Sequence, residues 1–258
     1  MNNTFSFKRF AMLFQKHTLE HIKIYLLSLG VLTGLLFVVL GFMSYTNGGE
    51  LSSKSQAVVF LFFLVFAGSI FTSLSFSALG DKRKAIPMLT LPTSNFEKYM
   101  IAWLYSFVIF QLVYLSIFYL VDVLVLSLST PVEGKNQLAK LFHINGIEAG
   151  FFIVYTFFHA LAIWGAVFYE KLHFIKTAFV FFACVIIIVL LNQLILKNLI
   201  NTAILKSMPF QDLRFMEGEQ QIVLRTQPGF AHTMAVIIVV CTLLLWCSAF
   251  FRLKEKEV

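Results

Sequence analysis

Six long apolar stretches divide this chain, and none of them contains Lys or Arg. Each holds at least 20 residues, which is the length that an α-helix needs to cross a hydrocarbon core about 30 Å thick. The pattern therefore predicts six membrane-spanning helices. Their predicted bounds are Ile24 to Tyr45, Ala57 to Leu79, Ile101 to Leu128, Ala149 to Tyr169, Thr177 to Leu196 and His232 to Phe251.

The same stretches decide the fold class. A spanning segment must satisfy its backbone hydrogen bonds as a helix or within a closed barrel, and barrel strands alternate apolar and polar residues. The stretches show no such alternation. Hydrophobic residues make up 59% of the chain and charged residues 13%, too few to cover the surface of a water-soluble domain of this size. We expect an all-α membrane protein, with residues 1–258 forming a single transmembrane domain.

The basic residues predict its orientation. Thirteen of the 20 Lys and Arg residues lie before the first span, between the second and third, between the fourth and fifth, and after the sixth. The other seven lie in the remaining loops, which are longer. Because cytoplasmic loops are rich in Lys and Arg, both termini are expected in the cytoplasm. The net charge of +7 fits this bias and attraction to anionic lipid headgroups, so we expect no nucleic-acid partner.

Residues 1–23 differ from the spans that follow. On a helical wheel, apolar residues that include Phe7 and Phe14 fall on one side, whereas Arg9 and Lys16 fall on the other. The pattern predicts an amphipathic helix that lies along the cytoplasmic leaflet before the chain turns into the first span. The alternative is a positively charged flank without fixed structure.

The segment 80–100 joins the second and third spans. Three consecutive basic residues begin it, and Pro87 and Pro92 then bracket a short apolar run. Further on, Ser94 and Glu97 have the spacing of a capping box, which predicts the start of the third helix. An apolar run held between two prolines on the cytoplasmic side favours a docking role. The alternative is that its apolar side chains only dip into the membrane interface.

At these residues the chain resembles the transmembrane subunits of ABC-2-type exporters, especially permeases of the Bacteroidetes group. The run Leu89 to Tyr99, LTLPTSNFEKY, followed by Trp103, is similar to a Leu-Pro-x-Ser-x-x-Glu-Lys motif in such permeases. The resemblance implies a bundle of the type V exporter kind in a bacterial inner membrane. It also implies that this loop contacts a separate ATPase, through Ile86, Met88, Leu89, Leu91 and Glu97.

The chain has no Gly-x-x-x-x-Gly-Lys-Ser/Thr loop that would cradle the phosphates of ATP. We therefore expect a transport subunit and not an enzyme, with ATP and Mg²⁺ bound by a partner. The resemblance implies a cytoplasmic ABC ATPase and a second permease, identical or related, as partners within the lipid bilayer. The alternatives are an ATP-independent channel or secondary carrier and, less favoured, a membrane-embedded enzyme.

Three polar residues inside the predicted spans are candidates for a translocation path, because a polar group in lipid needs a partner. They are Gln111, Asp122 and His159. For Gln111 and His159 the simpler interpretation is a hydrogen bond between helices. Asp122 lies in a span longer than necessary, so the alternative for it is a position at the outer interface.

The segment 197–231, between the last two spans, is too long for a simple connection. Lys197 to Ser207 is expected to form a short helix that returns into the outer leaflet and is then ended by Pro209. Beyond it, Leu213 to Met216 and Gln221 to Arg225 flank a Glu-Gly-Glu turn and predict a β-hairpin. The resemblance implies that this segment closes the outer mouth of the transporter.

Overall fold

The structure is a computed structural model of the 258-residue chain. It describes residues 5–80, 94–129, 138, 149–169, 171–199, 204–206, 208–217, 220–227 and 229–256. Four of the residues assigned to ATPase coupling therefore lie outside the described residues, namely Ile86, Met88, Leu89 and Leu91.

Helices dominate the described part of the chain. The helices are α1 (Phe7–Thr46), α2 (Ser53–Gly80), α3 (Asn95–Trp103), α4 (Phe110–Leu128), α5 (Ala149–Phe168), α6 (His173–Leu199) and α7 (Phe230–Lys256). Six continuous helical stretches of the described chain, one of them formed by α3 and α4 together, are long and apolar enough to cross a membrane. The predicted multi-pass membrane architecture is therefore confirmed by helix length and composition.

The third span is a composite helix. A π-helical turn, Leu104–Ile109, joins α3 to α4 without a break in the chain's helical path. Such turns contain one residue more than an α-helical turn and occur preferentially at functional sites. The predicted capping box at the start of α3 is confirmed, since Ser94 Oγ accepts the Glu97 N–H at 3.2 Å and Glu97 Oε2 accepts the Ser94 N–H at 2.9 Å.

The predicted turn between the N-terminal helix and the first span is wrong. A single 40-residue helix, α1, contains both segments. Its length is about 60 Å at the usual rise per residue, twice the thickness of a hydrocarbon core. The stretch lacks Pro, and its amphipathic face finds a partner in α3, so nothing in the sequence or the packing breaks the helix.

The described residues fall into two compact units. The first extends to Phe174 and includes Cys241 onwards, and the second comprises Ile175–Val240. In the first unit, α2 and α5 pack against each other along much of their length. A core cluster of buried residues joins them to α1 and α4, and includes Leu36, Leu40, Phe60, Leu64, Tyr114, Phe118 and Tyr155.

A second cluster extends the first unit's core to α3 and the last part of α7. It contains Phe76, Tyr99, Ile163, Val167, Ala249 and Leu253. Close approach of the helices near the first cluster depends on Gly68 of α2. A Cβ atom at this position would lie 2.9 Å from Cε1 of Phe110 and would also overlap the Tyr155 ring.

The second unit contains most of α6, the beginning of α7 and a small antiparallel sheet between them. Its strands are β1 (Ile204–Lys206), β2 (Leu213–Glu217) and β3 (Gln220–Leu224), in the order β1-β2-β3. Strands β2 and β3 form the predicted hairpin, which is confirmed.

The short helix predicted at Lys197 to Ser207 is wrong. Its first residues belong to the end of α6, and Ile204–Lys206 form a strand that pairs with β2. Helix propensity is a weak preference that pairing with a neighbouring strand readily overrides.

Candidate functional site

The beginning of α1 is fixed to the beginning of α3 through the side chain of Glu97. Oε1 of Glu97 accepts the backbone N–H of Ser6 at 2.7 Å and Nη2 of Arg9 at 3.2 Å. The other oxygen, Oε2, closes the capping box with the Ser94 N–H. We call these four residues, Ser6, Arg9, Ser94 and Glu97, the Glu97 junction.

The chemistry of the Glu97 junction requires an ionised carboxylate. All three groups that point at Glu97 are donors, and only the charged form accepts from each of them without offering a competing proton. Glu97 is completely buried, so its charge depends on Arg9 and on these N–H groups for compensation. The junction is therefore a rigid connection between two helix ends and not a solvated ion pair.

Side chains of α1 continue this contact toward the membrane. Leu13 packs with Ile101 and Tyr105 in a small buried cluster, and the rings of Phe14 and Tyr105 lie 5.1 Å apart. The Thr18 hydroxyl donates to the Phe14 carbonyl oxygen and accepts a hydrogen bond from the Tyr105 hydroxyl. The predicted apolar face of the N-terminal segment is thus partly covered by the third span, although Phe7 remains 76% exposed.

A second polar cluster lies at the π-helical turn. Its centre is His159 of α5, which is completely buried. Nε2 of His159 is 2.9 Å from Oγ of Ser106, and Nε1 of Trp246 donates to Nδ1 of His159 at 3.3 Å. The hydroxyl of Tyr155, one helical turn before His159, donates to the carbonyl oxygen of Ser106 at 2.8 Å.

These contacts determine which nitrogen of His159 carries the proton. The indole N–H of Trp246 can only donate, so Nδ1 accepts and the neutral ring has its proton on Nε2. His159 then donates to Ser106, whose hydroxyl is 3.4 Å from the Trp103 carbonyl oxygen. The expected hydrogen bonds between helices are confirmed for His159, and they join α5, α7 and the π-helical turn.

The three residues assigned to a translocation path do not form one site. Gln111 and Asp122 are eleven positions apart on α4, which separates them by about 16 Å along the helix axis. His159 contacts Ser106, a residue that precedes Gln111 in the third span. Gln111 is partly exposed, whereas Asp122 is fully buried beside Val121 and Val125 of the first core cluster.

Sequence reasoning missed the partners of these groups. Arg9 was assigned only to the charged side of an amphipathic helix, and Ser106, Tyr155 and Trp246 had no assigned role. A signal existed for one of them, because Tyr155 and His159 have the i, i+4 spacing that places both on one helix face. Within the described residues, no group of three or more His, Cys, Asp or Glu side chains has a metal-binding arrangement.

Comparison of the chain with protein-family models, with curated proteins and with solved structures finds no match. The class that the described geometry defines is accordingly a multi-pass membrane protein with six candidate spanning helices.

Proposed function

We propose that this chain is the permease subunit of an ABC exporter of the ABC-2 type, driven by a separate cytoplasmic ATPase. The observation that carries the proposal is the Glu97 junction, which fixes the N-terminal helix to α3, the helix that begins within the segment 80–100. A force applied to that segment would pass into both helices at once, since a buried, fully hydrogen-bonded carboxylate leaves little freedom between them.

The sequence motif supports the same role. The run from Leu89 to Tyr99 that resembles ABC-2 permeases contains the whole capping box, with Ser94 and Glu97. The resemblance assigns Ile86, Met88, Leu89 and Leu91 to the contact with the ATPase. In this proposal the chain lies in a bacterial inner membrane with both termini in the cytoplasm, and it pairs with a second permease of the same or a related sequence.

The π-helical turn provides a place where the third span can change shape. Conversion of a π-helical turn to an α-helical one shifts the register by one residue, about 1.5 Å and 100°. Ser106 lies within that turn and bonds to His159 and Tyr155. We propose that movement of the Glu97 junction reaches the membrane-spanning part of the chain through this turn.

The test is purification of the tagged chain from its own membranes in mild detergent. We expect an ATPase with Walker motifs to copurify and the complex to hydrolyse ATP, whereas the isolated chain should not. The double variant Met88→Asp, Leu89→Asp should lose the ATPase at equal membrane level, because it places charge in a desolvated interface. Leu172→Asp, an exposed apolar position in another predicted cytoplasmic loop, is the control and should retain it.

Two results would contradict the proposal. Transport by the isolated chain without ATP would identify a channel or secondary carrier. Hydrolysis of ATP by the isolated chain would place the catalytic machinery in this subunit. Full retention of the ATPase by the double variant would leave the permease assignment possible but would remove the segment 80–100 from the interface.

A further inference from the structure

The small sheet has two chemically different faces. Directly paired residues of antiparallel strands share a face, and β2 and β3 pair Leu213 with Leu224 and Phe215 with Ile222. These four residues are apolar, and we call them the apolar sheet face, whereas the third pair on the same side, Glu217 with Gln220, is polar and lies next to the turn. The opposite face carries the pairs Arg214 with Val223 and Met216 with Gln221, which mix charged, polar and apolar groups.

The described protein does not cover the apolar sheet face with a core. None of the three core clusters includes a residue of the sheet; Leu224 is 54% exposed, and Leu213, Phe215 and Ile222 are half-buried. Apolar surface that stays in contact with water forgoes the free energy of burial, which is roughly proportional to the area removed from water. The apolar sheet face therefore needs a covering layer.

The connections to the neighbouring helices restrict what that layer is. Helix α6 ends at Leu199 and β1 begins at Ile204, while β3 ends at Leu224 and α7 begins at Phe230. Four and five residues separate these ends, so each connection reaches at most about 20 Å when fully extended. Strands β1 and β3 run in the same direction, so the two connections leave opposite ends of the sheet. Both helices are candidate membrane spans, so both ends of the sheet are held near the membrane surface.

Charged groups lie at the end of the hairpin opposite the turn, next to the pair Leu213 and Leu224. Asp212 Oδ1 accepts the backbone N–H of Thr226 at 2.9 Å and its hydroxyl at 3.2 Å. The Thr226 N–H holds the pKa of the Asp212 carboxyl below its ordinary value, and Arg225 and Arg214 act in the same direction. A charged edge beside an apolar face is the arrangement of an element that lies at a water–lipid boundary.

We propose that the apolar sheet face lies on the lipid of the leaflet in which α6 ends and α7 begins, with its side chains among the headgroups and upper acyl chains. The sheet is thus a membrane-docked element, with Arg214 and Gln221 toward water. This inference is independent of the proposed permease function, because it rests only on the strand register and on the short tethers to α6 and α7.

The test measures the surroundings of neighbouring residues in the full-length protein, reconstituted in phosphatidylethanolamine–phosphatidylglycerol nanodiscs. Native Cys184, Cys241 and Cys247 are exposed and uncrosslinked, so each is replaced by Ala. Single cysteines are then introduced and spin-labelled at Gln221→Cys, Ile222→Cys, Val223→Cys and Leu224→Cys. Collision rates with oxygen, which concentrates in lipid, and with a water-soluble nickel chelate are compared.

We expect the ratio of oxygen to nickel collisions to alternate along β3, several-fold higher at positions 222 and 224 than at 221 and 223. Because neighbouring positions on one strand are compared, a general effect of labelling cancels. High nickel access at all four positions would place the hairpin in water and overturn the proposal. Low access to both reagents at 222 and 224 would show that protein, such as a second copy, covers this face, and would overturn it equally.

Discussion

Glycines in two apolar helices have opposite surroundings. Gly68 of α2 lies so close to the rings of Phe110 and Tyr155 that it leaves no room for a methyl group. Gly30 and Gly34 of α1 lie in a segment of the same mean hydropathy, but nothing in the described part of the chain lies within 4 Å of a Cβ atom built at either position.

This difference teaches that apolarity alone does not determine packing in a membrane protein. Lipid is as apolar as a leucine side chain, so helices gain little by hiding hydrophobic residues from it. They associate where small residues allow close contact and where polar groups find partners across helices. In α2 and α5 both conditions are met near Gly68, since the Tyr155 hydroxyl also bonds to Ser106.

The largest effect is expected from Gly68→Leu. Its side chain would occupy space already filled by two aromatic rings, and overpacking of this severity should cost about 3 kcal/mol or more by separating α2 from α5. The protein should aggregate or elute as a broad peak in detergent, and its thermal unfolding midpoint should fall sharply. The matched control, Gly34→Leu on α1, should remain monodisperse. Equal behaviour of the two variants would contradict the packing around Gly68.

Sequence reasoning reached the features that depend on local pattern. Helix α5 illustrates this, because its predicted bounds of Ala149 to Tyr169 differ from the observed end by one residue. The capping box at Ser94 and the hairpin of β2 and β3 were likewise predictable, since both follow from residue types at fixed short spacings.

Features that depend on distant residues were not predictable. Arg9 and Glu97 are 88 positions apart, no periodicity of the intervening sequence pairs them, and either residue alone looks like an ordinary charge near a membrane surface. The π-helical turn has no characteristic composition, and it is defined by the backbone conformation of Leu104–Ile109, while its contacts with Tyr155 and His159 come from another helix. For the same reason, the hydropathy pattern did not reveal that α1 continues through the predicted turn.

An intermediate effect is expected from Glu97→Gln, which tests whether the two parts of α1 differ. Glutamine keeps the shape but loses the charge that Arg9 and two backbone N–H groups compensate, so unfolding should become easier by about 2 kcal/mol. Amide hydrogen exchange should accelerate near Ser6 and Leu13, but not around Gly34.

The matched control for this variant is Glu20→Gln, also on α1. Glu20 pairs with Lys16 at 3.7 Å, but both side chains are about half exposed. An exposed pair of this kind contributes at most about 0.5 kcal/mol. If Glu97→Gln and Glu20→Gln have the same small effect, the Glu97 junction does not hold α1 to α3.

The smallest effect is expected from the pair of substitutions Gly30→Ala and Gly34→Ala, which tests whether these two glycines are free of close packing. Because each methyl group meets no protein atom in the described chain, only helix propensity changes, and alanine should raise stability by up to about 1 kcal/mol per position. The thermal midpoint in detergent should stay constant or rise slightly, whereas Gly68→Ala should lower it. A lower thermal midpoint for the α1 double variant, together with a smaller sedimenting species, would mean that another chain packs closely along Gly30 and Gly34. Small residues at this spacing permit such close approach. The face that is open in this chain would then be the covered face of an oligomer, and the contrast between the two helices would lie in which partner each one contacts.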